Sequence, residues 1–200
     1  MQLIVATRNT HKTREIAQIL QSDVIVRDLT AHPEVPEIQE DGGSFEENAK
    51  FKACEVSKLL PGLIIADDSG LEVEALGGAP GIHSARYAGR NASDKENVAK
   101  LLIELARMNP KGDRRPAQFR CVLVAARDGQ ILSTVEGIVQ GRIAEEPRGS
   151  HGFGYDPVFV PEGFEETFAE MSGDLKNKIS HRANAIRNLQ SQLPILYGKF

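Results

Sequence analysis

Short apolar runs and amphipathic helical stretches alternate along the chain, separated by polar and glycine-rich segments. Residues 2 to 6, Gln-Leu-Ile-Val-Ala, read as a buried first strand. Residues 7 to 12 follow as a polar loop, and Ile16, Ile19 and Leu20 recur at helical spacing in a helix running to about Gln21. Val24 to Val26 predicts a second strand, and residues 28 to 43, broken by Pro33, Pro36 and Gly42-Gly43, predict irregular chain. Ser44 and Glu47 form a capping box before the apolar face of Phe45, Ala49, Ala53, Val56 and Leu60, and Pro61-Gly62 ends that helix. Leu63, Ile64 and Ile65 predict a strand buried on both faces that delivers Asp67-Asp68 to a sheet edge, where Ser69-Gly70 should turn the chain. Residues 77 to 82 are glycine-dense enough to require unusual backbone angles. A second capping box, Ser93 and Glu96, opens a helix with Val98, Leu101, Leu102 and Leu105 on one side, closed near Pro110. Phe119 to Ala126 and Ile131 to Ile143 flank Asp128-Gly129 as a hairpin, with Gly137 and Gly141 as candidate bulges. Val158 to Val160 is a further strand, and Ala183, Ile186, Leu189 and Leu193 mark a last helix with His181-Arg182 at its start. Helices mixed with both crossover and hairpin strands predict an α/β fold on a mixed sheet.

Composition narrows this little. Two hundred residues, 40% apolar and 26% charged, suit one domain over residues 1 to 200, with two lobes around a cleft. A net charge of −4 argues against a nucleic-acid coat protein. Cys54 and Cys121 lack metal-type spacing and suit inert thiols in a reducing compartment. No apolar stretch is long enough to span a bilayer and no signal peptide is evident, so no membrane partner and a cytoplasmic location are expected.

The candidate chemistry lies in four places. Asp67 and Asp68 together suit a hard cation shared with phosphate oxygens, although an acidic solvated turn is the alternative. Thr7, Arg8, Asn9, Thr10, His11 and Lys12 join a strand to a helix N-terminus, where anions bind well. The loop lacks the glycines of a P-loop. Phe153, between two glycines and near Asp156, is a candidate stacking platform for a base, or a side chain tucked into the core. Lys176, Lys178, His181, Arg182 and Arg187 concentrate positive charge, and His181-Arg182 at a helix start oppose its dipole unless an anion or polar ligand compensates them.

In order along the chain these blocks resemble the inosine triphosphate pyrophosphatase (Ham1-like) family: Thr7 to Lys12; Phe45-Glu46-Glu47-Asn48-Ala49 with Lys52; Ala66 to Leu71; Gly77 to Gly81 with Ser84 to Tyr87; Gly152 to Pro157; and Ile179 to Arg182. The resemblance implies an elongated α/β fold with a long mixed sheet and a cleft between two lobes, and a homodimer. It implies Mg²⁺-dependent hydrolysis of ITP, dITP and XTP to monophosphate and pyrophosphate, which clears deaminated purines from the nucleotide pool. Lys12, Lys52 and the Thr7 to Lys12 backbone are then expected at the phosphates, and Asp68, Glu40 and Asp67 at Mg²⁺. Asp68 is the expected base, with Glu40 as the alternative activator of water. Ser69, Gly154 and Tyr155 join the substrate contacts, with Phe153 stacking on the ring and Lys176 fixing the base or closing the cleft. His181 and Arg182 would donate to O6, and Asp156 or a backbone carbonyl would accept from N1. The rivals are a Maf-like pyrophosphatase acting on pyrimidine nucleotides and a silent nucleotide-binding module.

Overall fold

The computed structural model of the chain describes residues 2–20, 24–108 and 115–198. The elements in chain order are β1 (Gln2–Val5), α1 (Thr10–Leu20), β2 (Ile25–Asp28), α2 (Phe45–Leu59), β3 (Leu63–Val73) and α3 (Asp94–Met108). There follow β4 (Pro116–Arg127), β5 (Gln130–Ile143), β6 (Phe159–Pro161), α4 (Gly173–Ile179), α5 (His181–Gln190) and α6 (Leu193–Gly198). Among the described residues six strands form one sheet in the order β2-β1-β3-β4-β5-β6. β1 runs parallel to β2 and β3, whereas β5 and β6 are antiparallel, so the sheet is mixed as expected.

Local chemistry explains most boundaries. Helix α1 begins at Thr10, inside the stretch expected as loop, because the Asn9 side-chain oxygen accepts from the backbone N–H of His11 (3.0 Å) and of Lys12 (3.3 Å). Asn at an N-cap satisfies donors that the helix itself leaves open. The expected helix end at Gln21 and the stop at Pro110 lie outside the described residues. Ser44 caps α2 by accepting from Glu47 N at 3.1 Å, while the Glu47 carboxylate reaches back to Gly43 N, one residue earlier than a capping box requires. Ser93 and Glu96 form the full reciprocal box, at 3.3 and 2.7 Å. Asp128 (φ 50°) and Gly129 (φ 76°) both have positive φ, as a two-residue hairpin turn demands. Helix α4, capped by Ser172, was not anticipated, and Leu193 belongs to α6 rather than to the helix of Ala183 and Ile186.

One expectation is corrected. Ser69-Gly70 do not turn the chain; β3 continues through them to Val73, because Leu71 and Val73 resume the buried apolar pattern beyond the two aspartates. Gly137 and Gly141 are sites of close backbone approach. A Cβ on Gly137 would stand 2.1 Å from the His181 carbonyl oxygen, and one on Gly141 2.3 Å from that of Val160.

The chain divides into two compact units, residues 1–68, 121–137 and 181–200 in the first, and residues 69–120 and 138–180 in the second. The first is built on Leu3, Val5, Leu63 and Ile65 of the sheet, packed with Ile16 and Leu20 of α1 and Ile186 and Leu189 of α5. The second is built on Leu71 and Val73, Leu101 and Leu105 of α3, and an aromatic group of Phe119, Phe159 and Phe168.

Candidate active site

Successive residues of a strand point to opposite faces, so β3 sends its two aspartates in different directions. Asp67 continues the face of Leu63 and Ile65, inside the core of the first unit, and is 0% exposed. Both of its oxygens are engaged: Oδ1 accepts from Lys12 Nζ at 2.5 Å, and Oδ2 from Arg182 Nε at 2.8 Å, with Cys121 Sγ 3.4 Å away. Burial pushes the Asp67 carboxyl up, but Arg182 and Lys12 outweigh it and hold it well below 3.8. Arg182 is 1% exposed, and its Nη1 forms a second ion pair with Glu15 of α1. Burial pulls the Arg182 pKa down, and Asp67 and Glu15 more than restore it. The anion needed by a cation at the start of α5 is thus supplied by the protein itself. Lys12 is likewise pulled down by burial and raised overall by Asp67.

Asp68 lies on the other face, 7% exposed, with Asn48 and Lys52 of α2 and Glu40 as its neighbours. Its pKa is raised from 3.8 to about 6, chiefly by burial and also by Glu40, against the opposing pull of Lys12, Lys52 and the Asn48 amide. Lys52 forms an ion pair with Glu40 and donates to the Asp67 backbone carbonyl at 3.2 Å, and Lys12 Nζ lies 3.5 Å from that same oxygen. Two ammonium groups therefore converge on the middle of β3.

Mg²⁺ is usually bound through one or two carboxylates, with water and phosphate completing an octahedron. Asp68 and Glu40 fit that demand, since Glu40 raises the cost of charge on Asp68 and a dication relieves it. Asp67 fits poorly as a ligand, because Lys12 and Arg182 occupy its oxygens. Among the described residues no three His, Cys, Asp or Glu side chains gather into a metal site.

The other expected residues fall into two groups. In the first unit Thr7 is half-buried, with its hydroxyl accepting from Asn9 N at 3.1 Å, and Arg8 donates to the Val35 carbonyl at 2.6 Å. Arg8, Asn9, Thr10 and His11 are exposed, and His181 is buried at the start of α5. In the second unit Asp156 Oδ2 accepts from Lys176 Nζ at 2.5 Å and from Phe153 N at 2.8 Å. The Lys176 ammonium sits 5.0 Å from the centre of the half-buried Phe153 ring. Gly152 (φ 75°) allows this tight loop, since a Cβ there would stand 2.0 Å from Asp156 Oδ2. Gly154 N donates to Asp94 at 2.7 Å, Tyr155 is buried with its hydroxyl on the Ser84 carbonyl at 2.9 Å, and Ser69 is half-buried within β3.

Residues 3–192 match the sequence model of the Ham1 family. The chain belongs to the Ham1 family. A dITP/XTP pyrophosphatase of Bacillus subtilis is 47% identical over 95% of this chain and 96% of its own length. Another of that name from Syntrophobacter fumaroxidans is 50% identical, over 95% and 81%. A Ham1 protein of Coxiella burnetii superposes with a TM-score of 0.85 at 38% identity, covering 97% of this chain and 98% of its own. The Staphylococcus aureus Ham1 protein superposes with a TM-score of 0.83 at 41% identity over the same shares.

In this Ham1 chain the sequence reading missed Glu15 as the second partner of Arg182 and Cys121 as a neighbour of Asp67. Glu15 carried a signal, standing three residues after Lys12 and so on the same helix face. Cys121 carried none, because its place opposite Asp67 depends on how β4 pairs within the sheet.

Proposed function

We propose that the chain hydrolyses dITP, XTP and ITP to the monophosphate and pyrophosphate with Mg²⁺, and so clears deaminated purines. The pyrophosphatases of that name, about half identical over nearly the full length, support the reaction class. The observation that carries the mechanism is the cluster around β3: Lys12 and Lys52 with the three carboxylates Asp67, Asp68 and Glu40, of which Asp68 has its pKa raised to about 6.

A triphosphate brings several negative charges, and Lys12, Lys52 and the exposed start of α1 meet them. Asp68 and Glu40 would hold Mg²⁺, which when bound neutralises phosphate charge and polarises the phosphorus. An acid near 6 is largely ionised at neutral pH yet basic enough to accept a proton. Asp68 therefore takes the proton of the water that attacks the α-phosphorus, with Glu40 as the second candidate. In the second unit Phe153 offers a ring face for a purine, Lys176 a donor suited to O6, and Asp156 an acceptor suited to N1–H. Adenine presents the reverse pattern, and mismatched buried polar groups discriminate strongly. Arg182, with its guanidinium committed to Asp67 and Glu15, is assigned to positioning rather than to base contact.

The test is pyrophosphate release from dITP, ITP, XTP, GTP, ATP, CTP and UTP, with Mg²⁺ and with EDTA. Mg²⁺-dependent release from the inosine and xanthosine nucleotides alone is expected. Release from pyrimidine nucleotides, or from none, would overturn the proposal.

A further inference from the structure

We infer that Glu15 positions the Lys12 ammonium for phosphate chemistry, by holding Arg182 and through it Asp67. The inference rests on the phosphate role proposed for Lys12.

Four charged groups form a closed chain within the first unit. Lys12 and Glu15 sit three apart on α1, hence on one helix face. Lys12 binds Asp67 Oδ1 at 2.5 Å, Asp67 Oδ2 binds Arg182 Nε at 2.8 Å, and Arg182 Nη1 returns to Glu15. The two cations and two anions are formally neutral as a set. The side chains are 16% exposed at Lys12 and 13% at Glu15, and almost fully buried at Asp67 and Arg182. The Lys12 and Glu15 ends are thus both part-exposed, and Lys12 is the one that closes the Thr7 to Lys12 stretch.

The arrangement dictates what Glu15 does. A planar guanidinium held by two carboxylates has a fixed orientation, and it fixes them in turn. A lysine ammonium on a four-carbon stem has no such rigidity, so its position is set by its partner. Loss of the Glu15 charge leaves Arg182 leaning more heavily on Asp67, which Lys12 shares. In a buried setting that imbalance is costly, and it is relieved by Asp67 turning toward Arg182 and away from Lys12. A displacement of about 1 Å in a group that stabilises a transition state can cost roughly 100-fold in rate.

The test is a double-mutant cycle on the full chain with dITP and Mg²⁺. Glu15→Gln keeps shape and an acceptor but removes the charge. It is expected to lower kcat by about tenfold or more, with KM changed by less than about threefold and the circular dichroism unchanged. Lys12→Ala alone should lower kcat, and Glu15→Gln added to it should lower kcat no further. Glu15→Asp, which keeps the charge and shortens the reach, gives a second cycle in which neutrality is preserved; it should also lower kcat, and only when Lys12 is present. A Glu15→Gln protein with full kcat and a lowered Tm would reduce Glu15 to a structural ion pair and overturn the inference. Independent, multiplicative losses in the cycle would overturn it as well. Full turnover by Lys12→Ala would instead remove the phosphate role of Lys12, and the inference with it.

Discussion

Asp68→Asn should make the protein more stable while abolishing turnover. The wild-type carboxyl is 7% exposed and titrates near 6 instead of 3.8. At about 1.4 kcal/mol per pH unit, that displacement means the ionised carboxylate costs the folded state roughly 3 kcal/mol at pH 8. Because the folded pKa is raised, the contribution of Asp68 to stability is most favourable below 3.8 and is lost as pH rises through about 6. An asparagine of the same shape carries no charge and escapes the penalty. Urea unfolding in EDTA, followed by circular dichroism, should show a gain of about 3 kcal/mol at pH 8, a shift of the midpoint by about 1 M. The gain should shrink between pH 6 and 4 and vanish near 3.8. In Mg²⁺ and dITP the same protein should release no pyrophosphate. A variant no more stable than wild type at pH 8, or a gain that persists unchanged at pH 4, would refute the reasoning. Such a result would mean that Lys12, Lys52 and Asn48 compensate the buried charge fully.

Asp67→Asn should have the opposite effect, losing about 3–5 kcal/mol in urea unfolding, because Lys12 and Arg182 are left with one buried counter-charge fewer. Turnover should fall as pH drops through about 6 and Asp68 takes up a proton; a pH profile at two Mg²⁺ concentrations should place the acid limb lower at the higher concentration. Gly137→Ala should cost about 3 kcal/mol, because its Cβ would stand 2.1 Å from the His181 carbonyl; a thermal melt checks this. Phe153→Leu should weaken binding by about 1–2 kcal/mol, read as a higher KM for dITP, if the ring stacks on the base.

Much of the architecture was legible in the sequence because it follows local rules. The Ser44 and Ser93 caps, the Asp128-Gly129 turn and the apolar faces of α2 and α3 depend on residues within a few positions of one another. The meeting of Lys12 and Lys52 with Asp67 and Asp68 was also expected, from motif blocks in a fixed order, and Glu40 from the family resemblance alone. Sequence pattern did not fix where β3 ends, because Ser69-Gly70 are good turn residues and only pairing in the sheet carries the strand through them. Nor could it divide labour between neighbouring aspartates. Only the family resemblance singles out Asp68 as the base; by local pattern Asp67 and Asp68 are equivalent, and the pleat turns one into the core against Arg182, 115 residues away, and the other toward Glu40 and α2. The sequence by itself determined which charges the protein carries and on which local elements. The tertiary structure decided which of them are buried against one another, because desolvation and ion pairing depend on distances in space that spacing along the chain does not encode.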